Sequence, residues 1–159
     1  MLAMILAATP VSDGRFVEAA FDPPVISGPL DPARQKDARQ AAERFLRHLY
    51  AVYFVIRGCS EASLRMGKPE YLSDVSPDEA RRTMKLVDAA AKEVGLEVDR
   101  IWIEAAPLGL ITAESLKVDD PDNARKCREI GSVFRVDLGN LQNVVSKLGT
   151  KRPLIEKDF

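Results

Sequence analysis

The strongest constraint on this chain is one long, regularly spaced apolar stripe. Ala38, Ala42, Phe45, Leu49, Val52, Ile56 and Cys59 follow one another at intervals of four, three, four, three, four and three. That alternation keeps one face of an α-helix inward for about six turns, which a strand pattern of period two cannot do. Asp31-Pro32 supplies a cap and a first-position proline at its start. The stripe runs on through Ser63 to Met66 and stops at Gly67. Between Leu49 and Ile56 the helix is apolar all round, which predicts a central helix covered on more than one side.

Three further segments follow the same logic. Ser76-Pro77-Asp78-Glu79 reads as a capping box, with Ala80, Met84, Val87, Ala91 and Val94 as the stripe and Gly95-Leu96 as the stop. Asp120-Pro121 opens a fourth helix whose stripe is Cys127, Gly131, Phe134, Leu138, Leu141, Val145 and Leu148, closed by Gly149. Between them, residues 98–106 allow either a helix capped by Asp99 or a strand, because Ile101-Trp102-Ile103 has strand propensity. A kinked helix from about 100 to 116, bent at Pro107 and Gly109, is the expectation. The fold class predicted is all-α, an up-down-up-down bundle of four main helices over residues 33–149, with a mixed tail over 150–159.

Residues 9–32 carry five of the ten prolines and should form an extended arm, whose Phe16, Phe21, Val25, Ile26 and Leu30 suit it to lying on the domain. Residues 1–8 are apolar and uncharged and resemble the core of a truncated secretory signal, although the basic flank is missing; a short buried strand or arm is the other reading. The longest internal apolar run, Leu49–Ile56, is far shorter than the roughly 20 residues a membrane span needs. With 23 basic and 24 acidic side chains the formal net charge is −1, so the basic excess of a nucleic-acid-binding protein is absent overall.

Cys59 lies late in the first helix and Cys127 two turns into the fourth, both on inward stripes. In an up-down-up-down bundle those positions fall at the same height and face one core, so a disulfide is expected. Such a bridge points to an oxidising, periplasmic or secreted location, the alternative being a cytoplasmic protein with two core cysteines.

Candidate chemistry is sparse. His48, the only histidine, has no evident partner that would make it a base. It reads as a boundary residue, with Arg44 and Arg47 nearby. Asp119-Asp120-Pro121-Asp122-Asn123 resembles a cation loop but lacks the glycine and the late glutamate of one, so it reads as helix capping. Tyr50, Tyr53 and Trp102 are candidate core or pocket-wall aromatics, and Glu104, if turned inward, could pair with an arginine of the first helix. No metal or cofactor is predicted.

The leading functional expectation is a non-enzymatic exported protein that acts by binding another protein, as an immunity, inhibitor, chaperone or accessory factor. A homodimer would follow if an apolar face of the first helix were left uncovered by the arm. The alternatives are a small-ligand-binding bundle, with Leu49–Ile56 and Trp102 lining a cavity, and an enzyme assembled from dispersed residues such as His48 and Glu104.

Overall fold

The structure, a computed structural model, describes residues 30–155. The leader-like segment 1–8, all of the arm before Leu30 and the last four tail residues lie outside the described residues. Four α-helices and one 3₁₀ turn make up the described chain, with no strand among them: α1 (Pro32–Met66), the turn Pro69–Tyr71, α2 (Pro77–Glu93), α3 (Val98–Ser115) and α4 (Pro121–Lys147).

The boundaries follow from local chemistry. Each of α1, α2 and α4 has a proline in its first turn, where a missing amide hydrogen costs no intrahelical bond. The side chains of Asp31, Ser76 and Asp120 accept bonds from the amides of Arg34, Glu79 and Asp122 respectively. The expected capping box at Ser76 forms only in its serine half, since the Glu79 side chain makes no return bond among the described residues. Gly67, Gly95 and Gly149 all take positive φ and end α1, α2 and α4. At Gly95 the amide of Leu96 reaches the Ala91 carbonyl and Leu96 is buried, the apolar contact that goes with this stop.

α1 is the axis of the molecule. Its 35 residues span about 52 Å, and α3 and α4 both pack extensively along it while making no extensive contact with each other. Glu43 meets Arg100 and Arg47 meets Glu104, so α3 runs parallel to α1. Cys59 meets Cys127 and His48 meets Asp137, so α4 runs antiparallel to it. Tyr50 meets Asp88 and Arg39 reaches the Gly95 carbonyl, which sets α2 antiparallel as well. Having neighbours on three sides explains why Leu46, Leu49, Tyr50, Val52 and Ile56 are all buried although they point in different directions. Of the expected stripe, Phe45 and Ala38 are only half-buried, and Leu46, absent from that stripe, is fully buried.

α3 bears out the helix expected over about 100 to 116 and removes the strand alternative, but not the Asp99 cap. It is helical from Val98 through Pro107 to Ser115, with Glu97 at its cap position and no side-chain capping bond. Asp99 lies inside the helix and caps nothing. The helix holds because α1 supplies what propensity does not. Its inner face, Val98, Ile101, Ala105, Gly109 and Ala113, is buried, and the last three are small enough to bring the two backbones together. A β-carbon placed on Gly58 of α1 would lie 2.6 Å from Ala113 Cβ, and one on Gly109 would lie 2.9 Å from Phe54 Cβ.

Candidate functional site

Two bonded polar clusters and one aromatic group take up most of the residues singled out by the sequence. On the α1–α3 seam, Glu104 accepts from Arg47 at 2.6 Å through one carboxylate oxygen and from Arg100 at 2.9 Å through the other. Arg100 also donates to Glu97 and to Glu43. Glu104 therefore points along the surface and not into the bundle. The Arg47 guanidinium first, and then Arg100, hold its carboxyl below the ordinary range, and the surrounding carboxylates push Arg100 further up. Both partners stand about 40% exposed, so water screens this ladder and its contribution is small. Arg44, nearby, bonds to nothing among the described residues.

On the α1–α4 seam, His48 Nδ1 is in hydrogen-bond contact with Asp137 Oδ2, the histidine exposed and the aspartate nearly covered. With the carboxylate as acceptor the Nδ1 position carries the proton. An oriented histidine is half of a nucleophile-activating arrangement. No serine, threonine or cysteine among the described residues bonds to it, so the nucleophile that such chemistry needs is not at hand. The His48 and Glu104 clusters share no bond.

The aromatic residues form one packed group. Trp102 stands edge-on to Tyr50 at 4.9 Å and tilted against Phe54 at the same distance, while Arg57 lies 5.9 Å over the Tyr53 ring. Tyr50 is buried and its hydroxyl donates to Asp88 at 2.5 Å. Burial, then the Asp88 carboxylate, pushes this phenol far above its ordinary range, and burial likewise raises Asp88. Neither of two surface clefts among the described residues is lined by Leu49–Ile56 or Trp102. One is about 420 Å³ and lies between α2 and α4; the other is about 260 Å³ and lies beside Tyr71.

At the disulfide end, Cys59 and Cys127 are bonded with their Cα atoms 5.6 Å apart. Asp120 caps α4, and Asp119 pairs with Lys68 at 2.5 Å and with the Tyr71 hydroxyl. Among the described residues no three acidic, histidine or cysteine side chains come together as a metal-ligand set, and no helix is long and apolar enough to cross a membrane.

Sequence reasoning missed Asp137 and Asp88, the two partners that orient His48 and Tyr50. Each sits directly beside a core position, Leu138 and Val87 respectively. An acid on the flank of an apolar stripe is the signal that could have found both.

A different feature stands out on the far side of α3. Ile103 and Ile111 are each 70% exposed, Leu108 63% and Leu110 54%, with Pro107 between them. Beyond Ile101 the inner face uses alanine and glycine, and the large apolar side chains of Ile103, Leu108, Leu110 and Ile111 are displayed outward. Isolated exposed leucines are ordinary, but four within nine residues on one helix form a patch. No family model matches the chain, and no curated protein or solved structure matches it.

Proposed function

We propose that this is an exported, non-enzymatic protein that acts by docking another protein on the outer face of α3. The observation that carries the reading is the inverted division of side chains on that helix: Ala105, Gly109 and Ala113 inward, Ile103, Leu108, Leu110 and Ile111 outward. A helix that served only to cover α1 would gain from the reverse arrangement, since large buried side chains contribute about 1.5–3 kcal/mol each. An apolar stripe rimmed by charges, with Arg100 and Glu104 at one end and Glu114 with Lys117 at the other, is the pattern of an interaction surface. Export rests on the disulfide, which persists in oxidising compartments.

Site-specific photo-crosslinking in the source cell tests the docking face. A photoreactive residue at Ile111 should yield an adduct of defined mass that the same residue at exposed Lys85 of α2 does not, and Ile103→Asp should remove it. Equal adducts from both positions, or none from Ile111, would overturn the reading.

A further inference from the structure

The outer face of α3 carries a self-complementary pattern. Taken from Pro107, itself exposed, Ile103 stands four residues before and Ile111 four after. Arg100 stands seven before and Glu114 seven after, a cation at one end and an anion at the other. At 3.6 residues per turn, offsets of four and seven fall within about 40° of the proline. All five positions therefore share one exposed stripe, on the far side of the helix from Ala105, Gly109 and Ala113.

Such a stripe fits a second copy of itself. When two α3 helices lie antiparallel about a two-fold axis through Pro107, each residue meets the one at the opposite offset. Ile103 meets Ile111 of the second copy and Arg100 meets Glu114 of the second copy, each contact occurring twice. A parallel pairing would set Arg100 on Arg100 and Glu114 on Glu114, and like charges repel. The hydrogen-bond count leaves room for the ion pair. Arg100 has five N–H donors and uses three, on Glu97, Glu104 and Glu43. Glu114 meets Lys117 through one carboxylate oxygen, with 72% of its side chain exposed.

We propose that, without its docking partner, the chain pairs with a second copy through an antiparallel α3–α3 contact centred on Pro107. This rests on the reading of α3 as a docking face and adds what covers that face beforehand. Leu108 and Leu110, beside the centre, are shielded along with the two isoleucines. The strip is shorter than the interfaces of permanent dimers, so the pairing is weak and another protein can displace the second copy. Self-pairing thus keeps the apolar side chains of α3 from water until that protein arrives.

Sedimentation equilibrium of the purified full chain, disulfide intact, from micromolar to millimolar concentration tests this. A monomer–dimer equilibrium is expected. Glu114→Arg should weaken it at least about tenfold by setting like charges together, and adding Arg100→Glu should restore it. Cysteine cross-linking reads the register without disturbing the Arg100 ladder. Pro107→Cys should oxidise to a dimer with itself. Ile103→Cys should not, because its two copies lie about 12 Å apart along the axis, beyond the Cα separation of about 7 Å that a disulfide spans; mixed with Ile111→Cys, it should. A monomer at every concentration, or Ile103→Cys pairing with itself as readily as Pro107→Cys, would overturn the inference and leave the docking of another protein untouched. A dimer whose Ile111 photo-adduct in the cell is always a second copy would sustain the inference and overturn that docking.

Discussion

Gly58→Ala is the substitution that most directly tests how α3 is held. A helix interior normally gains about 1 kcal/mol when alanine replaces glycine. At Gly58 the new methyl would lie 2.6 Å from Ala113 Cβ and 3.0 Å from its Cα. The obstacle includes backbone, so no rotamer change relieves it and α3 must move away from α1. Overpacking of that kind costs about 1–3 kcal/mol. Because the shift acts along an interface made of Ala105, Gly109 and Ala113, the upper half of that range applies. The net expectation is a destabilisation of about 1–2 kcal/mol. Gly139 of α4 provides the internal reference, since a β-carbon there meets nothing within 4 Å. Gly139→Ala should therefore stabilise by up to about 1 kcal/mol. At about 3 °C per kcal/mol for a chain of this size, the two variants should melt about 6–9 °C apart. Urea unfolding followed by circular dichroism at 222 nm, with the disulfide intact in both, gives the free energies. If Gly58→Ala were as stable as Gly139→Ala, the close approach of α1 and α3 would be refuted.

Two further outcomes follow from the clusters described above. Reduction of Cys59–Cys127 should lower stability by about 4 kcal/mol in the chain-entropy account, because the bridge closes a loop of 68 residues; a urea midpoint unchanged by reductant would contradict this. For Tyr50 the folded-state pKa lies above the unfolded value of about 10. Its stabilisation is therefore complete at neutral pH and is lost as pH rises past 10. In a spectrophotometric titration at 295 nm, Tyr50 should ionise only with unfolding, and Tyr50→Phe should remove that late step. Early ionisation of all three tyrosines would argue against the buried Tyr50–Asp88 bond.

What the sequence disclosed depended on whether one face of an element was polar. α2 has a single apolar face, and its five expected stripe residues are all buried, together with Ala90. The same holds at the ends, where Asp31-Pro32, Ser76-Pro77 and Asp120-Pro121 mark starts through chemistry confined to one turn. α3 was hard to read because both its faces are apolar. Ile101 and Ile103, two residues apart, face core and solvent respectively, which imitates a strand. The informative signal was the run of small residues at four-residue intervals, Ala105, Gly109 and Ala113, which indicates a helix pressed against another backbone. The disulfide was legible because it depends only on helix order and height. The partners of His48 and Tyr50 were not, because helix rotation decides which flanking acid comes within reach.

The position of the disulfide also sets how the molecule comes apart. Cys59 and Cys127 join α1 to α4 near the turn that carries Tyr71, leaving the other end of that antiparallel pair, around Val145 and Leu148, held by non-covalent contacts. Separation of the two helices must then proceed as a hinge opening away from the cross-link. Amide hydrogens along α4 should exchange progressively faster from Cys127 toward Lys147, and local openings near Cys127 should approach the free energy of global unfolding. The covalent bond thus acts as a pivot, giving α4 one slow-exchanging end and one that breathes.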